Sequence, residues 1–145
     1  MQNNDSVYIF GYDEFRILLY TLGYTECEGV FMPWQNMSSE RVIEGIHHLV
    51  RDGFLIAEED GFRAEKNLEE ILRIIGDHQG GFILKAPEEG REYYCYVGNG
   101  SIVVSEKLWE KKDTLRVRKM DQAEFAVWRD EIEQTDSERG SAFNW

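Results

Sequence analysis

The residues best suited to chemistry in this 145-residue chain are three histidines and two cysteines. His47 and His48 are adjacent, so on a helix their side chains point about 100° apart, whereas a helical zinc site needs ligands four residues apart. We interpret them as one partly buried and one exposed helix residue. Cys95 lies in a strand-like segment between two tyrosines, where a thiol is a core or face residue rather than an activated nucleophile. The pattern therefore predicts no metal site.

Other catalytic patterns are missing from the sequence. No serine lies in a nucleophile-elbow pattern, and no glycine-rich loop could hold a phosphate. Carboxylate pairs such as Glu69–Glu70 and Glu88–Glu89 occur, but a chain with 28 acidic residues contains such pairs by chance, and they are typical of solvated faces. We predict no catalytic residue, no cofactor and no enzymatic activity.

The charge distribution narrows the class of partner. The net charge is −12, with 15 acidic against 6 basic residues up to position 80 and 13 against 10 after it. Such a surface disfavours nucleic acid and anionic membranes and is compatible with a basic protein. No apolar run approaches the roughly 20 residues that span a bilayer, and the N-terminus lacks the basic region of a signal peptide. We expect a cytoplasmic protein.

The segment from residue 38 to residue 62 has the pattern of a winged helix. Ser38 is placed to cap a helix that Gly53 ends, and Asp60-Gly61 predicts a tight hairpin turn. The predicted turn carries three consecutive carboxylates, which would repel a phosphate backbone. The local pattern thus indicates a fold that often binds DNA, while the charge favours a protein partner.

The remaining periodicities predict a mixed fold. Helices are expected over residues 13–22, 67–75 and from Asp121 onward, where Glu124 completes a capping box. Strands are expected at 7–10, 82–84, 93–97, 101–105 and 114–120, with a turn at Asn99-Gly100. We predict an α+β fold: a winged-helix-like lobe (7–78), a four-strand antiparallel meander plus a C-terminal helix (79–134), and a flexible tail (135–145).

An aromatic strand is the main candidate for partner binding. Tyr94 and Tyr96 share one face of their strand, and Tyr93 and Cys95 share the other. If helices cover only one side of the sheet, one pair forms an exposed contact strip, and if helices cover both sides, neither pair does. The predicted partner-binding residues lie on two strands, in the segment between residues 105 and 114, and on the last helix. They are Tyr94, Tyr96, Ile102, Val104, Trp109 and Trp128.

A basic cluster interrupts the acidic background between residues 107 and 119. Acidic residues are interleaved with it, and Trp109 is the one aromatic side chain available for stacking, so it is a weak nucleic-acid site. We interpret the cluster as a balance for the acidic first half, within the molecule or across a dimer. Its members are Lys107, Lys111, Lys112, Arg116, Arg118 and Lys119.

Five segments together resemble a known group of proteins: residues 13–23, 28–31, 42–62, 94–96 and 112–116. Over roughly residues 7–134 the chain resembles small proteins associated with Gram-positive type VII (ESX-like) secretion, and half of an EspG-type secretion chaperone. The resemblance implies a cytosolic adaptor or chaperone for a helical-hairpin secretion substrate. The chain has about half the length of an EspG-type chaperone, and our hypothesis is that a homodimer supplies the missing half.

Two other functions remain open from the sequence. A small acidic α+β domain suits an immunity protein that neutralises a secreted toxin by blocking it. A winged-helix transcription regulator needs a basic recognition helix, and here Arg41 and Arg51 are outnumbered by Glu40, Glu44 and Asp52.

Overall fold

The fold combines four helices and eight strands in the part of the chain that the computed structural model describes, residues 7–24, 37–86, 90–135 and 142–144. The sequence from Gly29 to Asn36, with Pro33 and Trp34, predicts a loop, and it lies outside these residues. So do the segment 28–31 that carries part of the resemblance, Cys27, Glu88–Glu89 and Trp145. The α+β class is confirmed. The helices are α1 (Tyr12–Thr21), α2 (Ser39–Arg51), α3 (Lys66–Gly76) and α4 (Gln122–Thr135). The strands are β1 (Val7–Gly11), β2 (Leu55–Glu58), β3 (Gly61–Ala64), β4 (Gly80–Ala86), β5 (Arg91–Gly98), β6 (Ser101–Lys107), β7 (Thr114–Asp121) and β8 (Ala142–Asn144).

A six-stranded antiparallel sheet forms the centre, in the order β1-β7-β6-β5-β4-β8. Four consecutive strands, β4 to β7, make the meander that the alternating pattern predicts. The β5–β6 turn has Asn99 at φ 53° and Gly100 at φ 75°, a left-handed pair typical of a two-residue hairpin. Strand β1 adds to one edge, and β8, from within the predicted tail, adds to the other.

Helices cover both faces of this sheet. On one face, α1 and α3 pack with β1 and the meander around fully buried residues such as Phe15, Leu72 and Tyr96. On the other, α4 packs Phe125 and Trp128 against Tyr93. Because residues from both halves of the sequence meet in the first core, the strand-and-helix start of the chain and the meander share one interior.

The α2 helix and the β2–β3 hairpin extend from the first core. Ser38 caps α2, accepting a hydrogen bond from the Arg41 N–H at 3.2 Å, and Gly53 ends the turn after it at φ 84°. The hairpin is anchored by Phe54, whose ring meets Phe10 edge-on at 5.0 Å between centroids. The contact between Phe54 and Phe10 thus attaches this unit to the first core, and its outer side chains face away from that core.

Candidate functional site

The exposed side chains of α2, β2 and β3, within residues 39–64, form a surface that we call the helix–hairpin surface. It includes four large apolar side chains that are at least one-third exposed: Ile43 (55%), Phe62 (44%), Ile56 (38%) and Val50 (37%). Half of the eight large apolar side chains that are exposed in the described chain lie on this helix–hairpin unit, which makes it the candidate contact surface.

The local geometry explains why these side chains are outside. On α2, Gly45 and Leu49 face the core, and Ile43 lies on a different side of the helix. On the hairpin, Leu55 pairs with Ala64 on the buried face, so the next residue, Ile56, points to the opposite face. Phe62 pairs with Ala57 on the same face as Leu55, but nearer the turn, where it is exposed. The exposed Ile56 and Phe62 therefore lie on opposite faces of the hairpin.

Charge on this surface is negative and only partly compensated. Each of its arginines pairs with an acid: Arg41 with Asp13, Arg51 with Asp52 at 3.2 Å, and Arg63 with Glu58 at 2.7 Å. The hydrogen bond from Arg63 to Glu58 raises the pKa of Arg63, so that guanidinium stays charged. Four exposed carboxylates have no ion pair with any described residue: Glu40, Glu44, Glu59 and Asp60. The surface can therefore attract cationic groups.

A group of charges on α1 fixes the position of α2. Asp13 accepts two hydrogen bonds from Arg41 and a third, at 2.6 Å, from Arg16, which is 2% exposed. Nearby, α2 approaches α1 so closely at Gly45 that a Cβ there would overlap Cδ1 of Ile17. The helix–hairpin surface is therefore carried by a helix that packs directly on α1, and not by a loop.

A cleft of about 460 Å³ lies beside this contact, between α1, α2 and the β6–β7 loop. Its walls carry both signs of charge, with Arg16 and Lys111 against Glu44 and Asp113. The carboxylate of Glu14 is shared between the Gly11 N–H at 3.3 Å and His48 Nδ1 at 3.5 Å. Of the acids that line the cleft, Asp13 contacts Arg16 and Arg41 and Glu14 contacts His48, whereas Glu44 has no ion pair with a described residue.

The predicted partner-binding residues do not form one exposed surface. Tyr96, Ile102 and Val104 are at most 8% exposed, and Tyr94 is half-buried against the first core. The exposed tyrosine strip, one of the two arrangements left open by the sequence, is not found, because α3 packs on one face of β5 and Trp128 of α4 packs on Tyr93 on the other. The alternative left open by the sequence, a sheet covered on both sides, describes the molecule.

The two predicted tryptophans lie in different environments. Trp128 is half-buried, and its ring meets Tyr93 edge-on at 5.0 Å, so it belongs to the second core. Trp109 is 57% exposed, with the Lys107 ammonium 5.2 Å from its ring. Of the six residues, Trp109 alone presents a mainly solvent-facing ring to a partner.

Two members of the basic cluster form ion pairs with described residues, each with a different partner. Lys119 reaches Glu70 on α3 at 2.8 Å, and Arg116 donates two hydrogen bonds to Glu106, the shorter at 2.6 Å. The first pair joins the two halves of the sequence. It agrees with the interpretation that the cluster offsets acidic groups within the molecule.

The candidate chemical groups occupy structural positions. Cys95 is fully buried, and burial raises the pKa of its thiol to about 12, which keeps it neutral and unreactive. His47 is exposed, and His48 is half-buried beside Glu14. Within the described ranges, no three His, Cys, Asp or Glu side chains are grouped to hold a metal ion. The same ranges contain no helix long and apolar enough to cross a membrane.

Sequence reasoning misses the apolar part of the helix–hairpin surface. The helical spacing of Val42, Ile46, Leu49 and Val50 predicts the buried side of α2. Val50 is nevertheless 37% exposed, at the end of the helix. A signal does exist at Ile43, an apolar residue outside that stripe and next to Glu44. Large apolar residues on the polar side of a helix indicate a contact surface.

Comparisons with known proteins add no family. No protein-family model matches the chain, and a search of curated proteins finds no match.

Proposed function

We propose that this protein is a non-enzymatic adaptor or chaperone that binds another protein through its helix–hairpin surface. The observation that carries the proposal is the combination of exposed Ile43 and Phe62 with carboxylates that lack an ion-pair partner among the described residues. Apolar side chains supply buried area on association, and charge complementarity selects the partner and accelerates the encounter.

The partner that fits this surface has apolar and basic groups on one face. An amphipathic helix with lysine or arginine beside its apolar stripe meets both requirements. A helical-hairpin substrate of type VII secretion belongs to this structural class, and it is the partner that we propose on the basis of the sequence resemblance.

The same charges argue against DNA as the ligand. In a winged helix that binds DNA, the helix and the wing place cations against phosphates and release counterions. Here the hairpin turn presents Glu59 and Asp60, and the arginines Arg51 and Arg63 are already paired with acids. A salt-dependent mobility shift with duplex DNA at nanomolar protein would contradict the proposal.

The proposal is tested by capture from the native cytoplasm with a pair of surface variants. The double variant Ile43→Ser with Phe62→Ser removes apolar area from exposed positions, so we expect the fold to persist and a stoichiometric protein partner to be lost. Val127→Ser is the matched control, because Val127 is 61% exposed on α4, away from the surface. Equal capture by both variants would refute the helix–hairpin surface as the binding site.

A second pair of variants tests the role of charge. Glu59→Lys with Asp60→Lys reverses the hairpin turn, and Glu110→Lys with Asp130→Lys changes the net charge equally at exposed positions elsewhere. We expect only the first pair to weaken capture, and we expect wild-type capture to fall as salt is added. Identical effects of the two pairs would show that net charge alone is responsible.

An immunity protein is the second candidate, favoured by the four carboxylates Glu40, Glu44, Glu59 and Asp60. A basic toxin could be blocked by the same surface without any reaction. Co-expression separates the two functions: an immunity protein restores growth to cells that make the toxin domain, whereas a chaperone raises the level or export of its substrate.

A further inference from the structure

The outer edge of β1 carries backbone hydrogen-bonding groups that no described strand uses. Within the described residues β1 pairs with β7 alone and forms the end of the sheet. The opposite end of the meander is covered by β8. An uncovered edge strand is a template for adding another strand, and many proteins protect such edges with charge or proline. The sequence of β1, VYIFG, contains neither.

Hydrogen bonds on both sides of β7 identify which residues of β1 point outward. The Tyr12 N–H donates to the Asp113 carbonyl at 2.8 Å, and the Leu108 N–H donates to the Thr114 carbonyl at 2.9 Å. Because these directions alternate along an antiparallel strand, Tyr8 and Phe10 bond to β7, and the N–H and C=O of Ile9 point away from it. The Ile9 side chain is also 52% exposed.

We propose that a second copy of this chain pairs with β1, antiparallel, about a two-fold axis at Ile9. The two Ile9 residues would exchange two backbone hydrogen bonds and place their exposed side chains next to each other. The product is a continuous sheet across the dimer. This inference is independent of the proposed partner-binding function.

The sequence around Ile9 favours this register over its neighbours. Pairing centred on Ile9 matches Tyr8 with Phe10 and involves only uncharged residues of β1. Centring on Val7 would place Ile9 opposite Asp5. Centring on Gly11 would require Tyr12 and Asp13, which belong to α1 and not to a strand. The Ile9-centred register keeps to β1 and places no acid opposite an isoleucine, so it is preferred.

The surroundings of β1 favour a second copy over a basic partner segment. Ile9 lies directly opposite Arg116 on the same face of the sheet, and Arg118 is opposite Val7. Arg116 is neutralised by Glu106, but Arg118 has no ion pair with a described residue, so a cationic strand added here would meet an uncompensated charge, whereas a second β1 brings no charge. In the dimer the two Arg116 residues are three strand spacings apart, about 14 Å, which exceeds the screening length in physiological salt.

The size of the contact predicts weak association. One short strand pair buries less than the area of a standard stable interface, and each copy carries a net charge of −12. We therefore expect a monomer–dimer equilibrium at high micromolar concentration that strengthens as salt screens the repulsion. Binding to a basic partner would have the opposite salt dependence.

The first experiment is sedimentation equilibrium of the full chain and of Ile9→Glu. In the monomer the new carboxylate lies opposite Arg116, which supports folding, and in the dimer two carboxylates meet at the axis. We expect at least a tenfold loss of dimer affinity. Ile56→Glu is the matched control, an equal charge change at another exposed isoleucine, and it should retain the dimer. A wild-type chain that stays monomeric at high micromolar concentration in added salt overturns the proposal.

A cross-linking experiment tests the register directly. Residues in a hydrogen-bonded antiparallel pair have Cα atoms about 5.5 Å apart, within the range of a disulfide. In a Cys27→Ser background, oxidised Ile9→Cys should give a covalent dimer, and Ile56→Cys should not. Equal cross-linking of the two variants, or none at position 9, would contradict pairing at Ile9.

Discussion

The carboxylate of Asp13 on α1 receives two hydrogen bonds from the guanidinium of Arg41 on α2, at 2.9 and 2.5 Å. The same carboxylate also accepts a hydrogen bond from Arg16, the one described arginine that is almost completely buried. Asp13 therefore has two roles. It forms an exposed ion pair with Arg41 that helps to orient α2, and it supplies a negative charge to the buried guanidinium of Arg16.

The two partners of Asp13 should respond very differently to mutation. Arg41→Ala removes an exposed pair, so we expect a loss of about 0–1 kcal/mol in the free energy of unfolding. Asp13→Ala also removes a partner of the buried Arg16 guanidinium, and we expect a loss of roughly 2–4 kcal/mol. Urea unfolding of both variants measures the difference.

A third variant isolates the buried charge. Replacing Arg16 with methionine in the Asp13→Ala background removes the cation and keeps most of its length, so part of the lost stability should return. Equal losses for Arg41→Ala and Asp13→Ala would mean that Arg16 does not depend on Asp13.

The close approach of α2 to α1 at Gly45 predicts a size-dependent defect. Gly45→Ala improves helix propensity by about 0.5–1 kcal/mol, but the added methyl overlaps Cδ1 of Ile17, and overpacking typically costs about 1–3 kcal/mol. We expect a net loss in thermal stability. Ile17→Val deletes that Cδ1 atom, so the double variant should be more stable than the sum of the single effects implies.

The control for this cycle is Gly80→Ala. A Cβ on Gly80 would meet no atom within 4 Å beyond its chain neighbours, and the residue has no positive φ, so its replacement should change stability by less than about 0.5 kcal/mol. Additive effects of Gly45→Ala and Ile17→Val would show that the two helices separate to admit the methyl group.

Features that depend on neighbouring residues are predictable from the sequence. Ser38 caps α2, and Asp121 and Glu124 form a reciprocal capping box at the start of α4, with hydrogen bonds of 2.7 and 2.9 Å. On β7, Leu115 and Val117 are buried as their alternation predicts. Each of these signals is contained within a few residues, where backbone geometry and side-chain chemistry are directly coupled.

Features that depend on distant pairings are not predictable in this way. The segment from residue 7 to residue 10 has a strand-like composition, but its pairing with β7 joins Val7 to Arg118, far along the chain. The coverage of β5 likewise depends on where α3 and α4 pack, so alternation separates its two side-chain faces without indicating which one is exposed. The helix–hairpin surface is predictable only in part: the acidic turn can be read from the sequence, but the exposure of Phe62 cannot.

The burial of Cys95 predicts a specific loss of stability in alkali. The thiol has a pKa of about 12 in the folded protein and an ordinary value of 9.0, because burial disfavours the thiolate. Below pH 9 the Cys95 thiol is protonated in both the folded and the unfolded protein, so it makes no pH-dependent contribution to stability. Above pH 9 the unfolded chain ionises and the folded chain does not, so stability falls by up to about 1.4 kcal/mol per pH unit until pH 12.

The measurement compares urea unfolding of Cys27→Ser with that of Cys27→Ser/Cys95→Val between pH 8 and pH 11. Burial also raises the pKa of Tyr12, Tyr24 and Tyr94, and these residues act in both proteins, so the difference between the two slopes isolates Cys95. We expect the valine variant to lose stability less steeply above pH 9. The thiol of the folded Cys27→Ser protein should also resist a disulfide reagent at pH 8 until it unfolds. Rapid stoichiometric labelling of the folded protein would show that Cys95 is accessible and that its pKa is ordinary.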